Sequence, residues 1–278
     1  MLNGKQILIT GVVTTDSIAF AVARRAHELG AQILLTGFPR NIDHTRDAAA
    51  HLPGSIDVVP FDATDADDTA RLTDTIAERW GHLDGALHAI AFAPPDALSG
   101  PLLDARREGI GLAFQTSTVS LAAVATVVAR LAPPTGASVV GLDFDATAAW
   151  PVYNWMGVCK AGLESLSRYL ARDLGPAGIR VNLVAAGPIH TRAAGGIPGF
   201  EALLDAWASG SPLAWNPADP APVADATCFL LSDLARAVTG EILHVDGGYH
   251  AMAAPLHPLH PASPDERVAA LDEVRRWT

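Results

Sequence analysis

The stretch Gln6–Ala19, QILITGVVTTDSIA, joins a short apolar run to the start of a helical pattern through a glycine. Its first part, Gln6–Thr10, predicts a buried strand, because it is a short apolar run that ends at a turn signal. From Ile18 to Leu29, apolar residues recur every three or four positions, which predicts a helix that Gly30 ends. A strand that turns directly into a helix is the unit from which parallel α/β sheets are built.

The turn between this strand and this helix is a candidate binding site for a phosphate-containing ligand. Backbone N–H groups at a helix N-terminus, together with the helix dipole, favour an anion there. The usual dinucleotide-binding pattern, Gly-x-Gly-x-x-Gly, is incomplete, since Gly11 is present but Val13 stands where a second glycine is expected. The turn alone is therefore also compatible with a plain strand–helix connection in which Ser17 only caps the helix.

The alternation of strand and helix continues along the chain. Further strands are predicted at Gln32–Thr36, Ile56–Pro60, Leu87–Phe92, Ser138–Leu142, Arg180–Ala185 and Glu241–Val245. Further helices are predicted at Arg46–Leu52, Ala66–Trp80, Leu121–Leu131, Tyr153–Leu174, Phe200–Trp207 and Val223–Ser232. This spacing predicts an α/β fold with a doubly wound, Rossmann-type sheet of seven mainly parallel strands and helices on both faces.

The composition is that of a globular protein with an acidic surface. Of the 278 residues, 49% are hydrophobic and 18% are charged, and the formal net charge is −11. These values exclude a disordered chain and disfavour nucleic-acid binding, because an acidic surface repels a phosphate backbone. Two cysteines make no disulfide framework, and we find no targeting segment and no apolar stretch of about 20 residues, so we expect a cytoplasmic protein. His257 and His260 have no clear third ligand, so no metal site is predicted.

Two segments interrupt the alternation. Ile189–Gly199 follows the carboxyl end of a strand, where ligands bind in doubly wound sheets, so it is a candidate lid, with an ordinary long loop as the alternative. Residues 1–254 are expected to form a single dinucleotide-binding domain, and 255–278 a proline-rich linker and a short helix that begins at Ser263-Pro264. The apolar stripe of this helix is expected to pack on its own subunit or a neighbour: Val268, Leu271, Val274 and Trp277.

Several separated motifs occur in the order found in one protein family. They are Gly11 with Ser17 and Ala19, Thr36-Gly37-Phe38, Asp62, Asp143-Phe144-Asp145, Tyr153 with Lys160, Ala185–Ile189, and Asp246-Gly247-Gly248. Together they resemble the enoyl-acyl carrier protein reductase branch of the short-chain dehydrogenase/reductase family, and they are most similar to its mycobacterial long-chain members. The resemblance covers about residues 3 to 250.

The resemblance implies a dinucleotide cofactor at the carboxyl edge of the sheet. In that branch a longer turn replaces the second glycine, and the residue that matches Ser17 binds the pyrophosphate. Phe38 can stack on an adenine ring and Asp62 can accept a hydrogen bond from its amino group, although core packing and a strand-end turn are the alternatives. No acidic residue follows the second strand, and Arg40 could favour the 2′-phosphate of NADPH, but the resemblance favours NADH. The expected cofactor-binding residues are Gly11, Ser17, Ile18, Phe38, Asp62, Ala63, Ile90, Ala91, Lys160, Ile189 and Thr191.

Tyr153 and Lys160 are the candidate catalytic pair. They are seven residues apart, which is two helical turns, so both project from nearly the same face. A nearby ammonium should lower the pKa of the phenol, and a poised phenol can donate to a developing oxyanion. Carbonyl-reducing members of the family have their tyrosine where this chain has Met156, so the resemblance implies hydride transfer to the β-carbon of a 2-enoyl thioester. Phe144 is expected near the nicotinamide and the reacting double bond.

Some positions depart from the resembling proteins. Ala89 and Ala91 stand where the mycobacterial members have serine and glycine, and His190 stands where they have arginine. The lid is also shorter, which suggests a different acyl group. The leading hypothesis is an NADH-dependent enoyl-thioester reductase of fatty-acid or specialised acyl biosynthesis. The alternatives are a reductase of another conjugated or imine substrate, and a protein on the same fold that binds a ligand or partner without reducing it.

The expected partners follow from the leading hypothesis. An acyl thioester would be the substrate, carried by coenzyme A or by an acyl carrier protein. An acidic carrier would need a basic patch, to which Arg106, Arg107 and Arg192 could contribute. The apolar helices at Leu121–Leu131 and from Tyr153 predict a homo-oligomer, which in the resembling family is commonly a tetramer.

Overall fold

A computed structural model of the chain describes residues 1–253 and 264–276. The strands are β1 (Gln6–Ile9), β2 (Gln32–Gly37), β3 (Val58–Pro60), β4 (Gly85–His88), β5 (Ala137–Asp143), β6 (Ile179–Ala186) and β7 (Ile242–Val245). The α-helices are α1 (Ile18–Glu28), α2 (Ile42–Ala49), α3 (Ala66–Trp80), α4 (Pro95–Leu98), α5 (Arg107–Phe114), α6 (Ser120–Leu131), α7 (Asn154–Leu174), α8 (Phe200–Gly210), α9 (Ala221–Leu231) and α10 (Pro264–Val274).

In the described residues, the seven strands form one sheet in the order β3-β2-β1-β4-β5-β6-β7. Every neighbouring pair is parallel, which confirms the predicted α/β class and makes the sheet wholly rather than mainly parallel. The strand order reverses between β1 and β4, because the chain builds outward to β3 and then returns. At such a switch point a crevice opens outside the carboxyl ends of the strands, and this crevice is where ligands bind in open α/β sheets.

Helices cover both faces of the sheet. On one face α1 packs against α9, and on the other α6 contacts both α3 and α7. Side chains of β1 alternate between the two cores, since Ile7 and Ile9 lie in one and Leu8 in the other, all fully buried. A strand buried on both faces has to be apolar throughout, which explains the continuous apolar run that opens the chain.

The largest difference from the predicted elements lies between β4 and α6. The sequence pattern predicts no helix there, whereas the structure has α4, α5 and a π-helical turn, Gln115–Val119, that leads into α6. Gly109 and Gly111 weaken the helical signal of α5. At Gly109 a side chain would be tight, because a Cβ would lie 3.0 Å from the ring of Pro94. Other boundaries shift by a few residues; β4, for example, ends at His88 and not at Phe92.

The helical run Arg107–Leu131 is long and apolar enough to cross a membrane by length and composition alone, whereas the sequence reading expected no such stretch. It is the only such run among the described residues. About half of its most apolar window is buried, and its segments pack on α3 and α7. A core helix of a globular domain has these same properties, so the run is explained by its packing.

The helix predicted near the C-terminus is present as α10. In the single chain its described apolar side chains are not buried, so of the two expected surfaces, its own subunit and a neighbour, the structure shows no docking on the first. Val268, Leu271 and Val274 are 56%, 54% and 49% exposed. Ser263, Trp277, His257 and His260 lie outside the described residues, so the expectations for them stay predictions.

Candidate active site

The turn after β1 is built around Gly11. This residue has a φ of +82°, and a Cβ on it would lie 2.0 Å from the carbonyl oxygen of Ala89. The N–H of Ala89 donates to the Thr10 hydroxyl, which itself donates to the Leu87 carbonyl, so the ends of β1 and β4 are held together. Only glycine can pass this point, which explains why one glycine is retained although the second is missing.

The N-terminus of α1 faces the same crevice. Ser17 caps the helix, because its hydroxyl accepts a hydrogen bond from the Phe20 N–H at 3.2 Å and donates to the Thr14 carbonyl at 2.7 Å. Ile18, which follows, is half-buried. Ser17 therefore caps the helix, which is the alternative role considered for it. The tight turn at Gly11 and the adjacent helix N-terminus also form a cradle that fits a pyrophosphate.

Two of the predicted adenine-binding residues lie on the outer side of this crevice. Phe38, directly after β2, is 47% exposed, which is not the burial that a core-packing role requires. Asp62 follows β3 and accepts hydrogen bonds from the backbone N–H and hydroxyl of Thr64 at 2.9 and 2.7 Å. Ala63 beside it is half-buried. An exposed ring at a strand end can stack on a planar base, so the residues present fit an adenine.

The remaining predicted cofactor residues follow β4 and β6. Ile90 is half-buried and Ala91 exposed, while Ile189 is only 4% exposed. Thr191 accepts a hydrogen bond from the Ala194 N–H at 3.0 Å. These segments all lie at the carboxyl edge of the sheet, and so does the rest of the predicted set.

The candidate lid is tied to the turn after β1. The backbone N–H of Arg192 donates to Asp16 Oδ2 at 2.8 Å, across 176 residues of sequence. A cavity of about 370 Å³ lies between the two segments, lined by Asp16, His190, Thr191, Arg192, Gly195, Ile197, Gly199, Phe200 and Glu201. The segment after β6 is therefore joined to the turn after β1 through Asp16.

The catalytic candidates meet at the start of α7. Tyr153 is the N-cap residue of this helix, and the centroid of its ring lies 4.9 Å from that of Phe144, which follows β5. Lys160, two turns along α7, is 6% exposed, and its Nζ donates to the Leu142 carbonyl at 2.8 Å. The structure thus brings Phe144 and Tyr153 together, while the ammonium of Lys160 points toward the end of β5.

The expectation that Lys160 lowers the pKa of the phenol is wrong for this structure. Burial raises the pKa of Tyr153, and the negative charge of Asp143 raises it further. The ammonium does not compensate, because it is held by the Leu142 carbonyl and lies 4.0 Å from Asp143 Oδ1. The phenol therefore stays protonated well above neutral pH, which suits a hydrogen-bond donor and not a phenolate base.

Asp143 and His88 are polar residues of this region to which the sequence analysis gave no role. Burial raises the pKa of Asp143 to about 7, and Lys160 opposes this shift. Neither carboxylate oxygen has a hydrogen-bond partner among the described residues. Burial and the charge of Lys160 lower the pKa of His88 to about 3, and its Nε2 lies 2.8 Å from the Ser120 hydroxyl. The sequence does contain a signal for both residues, because each is a polar residue at the end of an apolar strand.

Aromatic side chains form a second feature that the sequence analysis did not identify. Phe144, Trp150, Tyr153, Trp207 and Tyr249 make one connected group of rings, which we call the aromatic cluster. Neighbouring centroids lie between 4.0 Å, for the stacked pair Trp207–Tyr249, and 5.9 Å, for Trp150–Tyr249. These rings come from three separate segments, so only the common strand-end position of those segments could have indicated the cluster.

Comparison with known proteins agrees with this geometry. Residues 11–250 match the family model described as enoyl-(acyl carrier protein) reductase. The enoyl-[acyl-carrier-protein] reductase [NADH] of Mycolicibacterium smegmatis is 41% identical over 262 residues, which cover 89% of this chain and 97% of that protein. The enoyl-[acyl-carrier-protein] reductase [NADH] FabI of Aquifex aeolicus is 39% identical over 91% of this chain and 93% of that protein. The protein of that name from Bacillus subtilis is 38% identical over 91% of this chain and 98% of its own length. The chain therefore belongs to the enoyl-acyl carrier protein reductase family.

Proposed function

We propose that the protein is an NADH-dependent oxidoreductase that reduces the double bond of a 2-enoyl thioester, delivered by an acyl carrier protein or coenzyme A, in fatty-acid or related acyl biosynthesis. The observation that carries this proposal is the position of Tyr153. Its protonated phenol lies beside Phe144 at the carboxyl edge of the sheet, the same edge at which the turn at Gly11 lies. The relatives, which are named as NADH-dependent enoyl reductases, support the same reading.

The cofactor would be held by the crevice residues. The turn at Gly11 and the N-terminus of α1 would receive the pyrophosphate, and Phe38 would stack on the adenine. The relatives are named as NADH reductases, so NADH is favoured over NADPH, although Arg40 follows β2. When bound, NADH supplies the hydride that adds to the β-carbon of the substrate. The side chain of Lys160 reaches the end of β5, where it would orient the cofactor.

Tyr153 would act on the charge that develops during hydride addition. Addition at the β-carbon moves negative charge through the double bond to the thioester oxygen, so an enolate forms. The phenol donates a hydrogen bond to this oxygen, and its raised pKa keeps the proton in place for that role. Phe144 packs against the phenol and limits its orientation. Protonation of the α-carbon then completes the reduction.

The position of Met156 argues against ketone or alcohol chemistry. Met156 is 5% exposed and packs with Cys159 and Ala113. It occupies the place of the tyrosine that carbonyl-reducing members of the wider family use, and a thioether cannot donate a proton. The phenol one turn earlier is therefore the available donor on this face of α7.

The assembly and the location of the protein are part of the proposal. Leu112, Phe114, Val119 and Val158, on α5 to α7, are between 39% and 47% exposed. Such an apolar surface supports a homo-oligomer, and the family resemblance favours a tetramer. Arg107 and Arg192 are exposed and could meet an acidic carrier protein, whereas Arg106 is paired with Asp96. We place the reductase domain at residues 1–254 and the protein in the cytoplasm.

Steady-state kinetics with three substrates test the proposed function. The purified protein should consume NADH with 2-butenoyl-coenzyme A and leave 3-oxobutanoyl-coenzyme A and acetone unreduced. A direct titration should give tighter binding of NADH than of NADPH. Reduction of the 3-oxo thioester in preference to the enoyl thioester would contradict the assignment. Binding of NADH without reduction of enoyl thioesters of short or long chain would favour a protein that has kept the fold and lost the activity.

A further inference from the structure

The aromatic cluster occupies the substrate side of the carboxyl edge. Its members come from the segments that follow the last three strands of the sheet: Phe144, Trp150 and Tyr153 follow β5, Trp207 belongs to α8 after β6, and Tyr249 follows β7. The cradle and adenine-side residues lie instead after β1, β2 and β3. The cluster therefore lies on the side of the crevice away from the adenine, beside the cofactor residues Lys160 and Ile189 that follow β5 and β6.

The rings are held in place by their surroundings. The indole N–H of Trp150 donates to the Asp145 carbonyl at 2.6 Å, and its ring lies 5.0 Å from that of Trp207. The ring of Trp207 is 2% exposed and stacks on Tyr249 with an interplanar angle of 13°. Gly210 makes room for this stack, because a Cβ there would lie 2.6 Å from the Tyr249 ring. Rings packed this closely cannot move aside without losing several contacts at once.

The cluster begins at the reacting atoms. The thioester oxygen has to lie within hydrogen-bond distance of the Tyr153 phenol, whose ring is 4.9 Å from Phe144. Phe144 in turn contacts Trp150 and Trp207 at centroid distances of 5.3 and 5.5 Å. Leu203, on the same helix as Trp207, is 2% exposed and closes the cluster on the lid side. An acyl chain that runs from the Tyr153 phenol past Phe144 would therefore meet the rings of Trp150 and Trp207.

We propose, on the basis of the function proposed above, that the aromatic cluster makes the acyl pocket short and that the substrates are short-chain 2-enoyl thioesters. A long, flexible chain needs a continuous apolar channel, in which each buried methylene improves binding about fourfold. Where Trp150 and Tyr249 stand, that channel is filled. Trp150 and Tyr249 are accordingly specificity-determining residues, and they limit the chain length at its far end.

The chain-length profile of the wild-type protein is the first test. We expect kcat/KM to be highest for 2-butenoyl-coenzyme A and to fall at least about tenfold for 2-dodecenoyl-coenzyme A, with 2-octenoyl-coenzyme A between them. A rise in kcat/KM from 2-butenoyl to 2-dodecenoyl would overturn the short pocket and leave the proposed function intact. Failure to reduce any of the three would overturn the proposed function itself, and the inference with it.

Two substitutions test whether Trp150 and Tyr249 limit the length of the acyl chain. Trp150→Ala and Tyr249→Ala remove partly exposed rings, so the variants are expected to fold, and thermal unfolding checks this. The double variant should raise the ratio of kcat/KM for 2-octenoyl to that for 2-butenoyl by about tenfold or more, because the space gained admits further methylenes. Trp80→Ala, on α3, removes a tryptophan of similar exposure outside the cluster and should leave the ratio unchanged. An unchanged ratio in the folded double variant would overturn the assignment of these two residues.

Discussion

Replacing Tyr153 with phenylalanine isolates the hydroxyl that the proposed mechanism uses. The variant keeps the ring and its contact with Phe144, where the centroids lie 4.9 Å apart, so the local packing should survive. A hydrogen-bond donor to a developing oxyanion is typically worth about 3–4 kcal/mol, or roughly 100- to 1,000-fold in turnover. Water or a ribose hydroxyl of the bound cofactor can replace part of this donation, so we expect kcat to fall about 10- to 100-fold.

The same substitution should leave cofactor binding nearly unchanged. Tyr153 is assigned to the substrate oxygen, and Lys160 to the orientation of the cofactor. The assay is the initial rate of NADH consumption with 2-butenoyl-coenzyme A, together with a direct NADH titration of the wild type and the variant. Tyr169→Phe, at a 57% exposed position on the same helix, is the matched control and should keep full activity. A Tyr153→Phe variant with wild-type kcat would refute the role given to the phenol.

Further predictions concern the other residues of the crevice. Lys160→Ala should weaken NADH binding in a direct titration and lower kcat as well, whereas an effect on kcat alone would contradict its role in orienting the cofactor. Gly11→Ala forces a side chain to within 2.0 Å of the Ala89 carbonyl oxygen and into a φ of +82°, so it should lower the melting temperature and abolish tight NADH binding; an unchanged titration would refute the cradle. Burial raises the pKa of Asp143 to about 7 from its ordinary value of 3.8. The folded protein therefore binds this proton more tightly than the unfolded chain does. The stabilisation that the bound proton provides is lost as pH rises through 7. Asp143→Asn should therefore flatten the decline in the free energy of unfolding between about pH 4 and pH 7 in urea titrations, and an unaltered pH profile would contradict this account.

Much of the fold could be predicted from apolar patterning alone. The strands of a wholly parallel sheet are buried on both faces, so β1 and β2 stand out as nearly continuous apolar runs, whereas β6 is interrupted by Arg180 and Asn182. The helices between β4 and α6 were missed because Gly109 and Gly111 break the helical pattern. Their stability comes from packing on α7, which local sequence does not encode.

The candidate site, like the fold, has one part that the sequence predicts and another that it does not. Gly11, Ser17 and the pair Tyr153 and Lys160 could be predicted as site residues because their motifs, in this order, resemble those of one protein family. The direction of the ammonium of Lys160 could not, since it depends on the Leu142 carbonyl and on Asp143 at the end of another strand. The aromatic cluster was equally hidden, because three separate segments have to converge before its rings touch.

The sequence predicts that the apolar face of α10 is buried, and in the single chain it is not. Its periodicity indicates one apolar face, and the helix forms, but Val268, Leu271 and Val274 remain about half exposed. Periodicity predicts that a face is apolar and carries no information about which surface covers it.

The fate of the transferred hydrogen tests the central claim most directly. NADH deuterated at the transferred position of the nicotinamide is supplied with 2-butenoyl-coenzyme A, and the product is analysed by mass spectrometry and NMR. Hydride addition to the β-carbon predicts butanoyl-coenzyme A with one deuterium on the β-carbon and a solvent proton on the α-carbon. Deuterium at the carbonyl carbon, or a product whose deuterium lies on the α-carbon, would contradict the account.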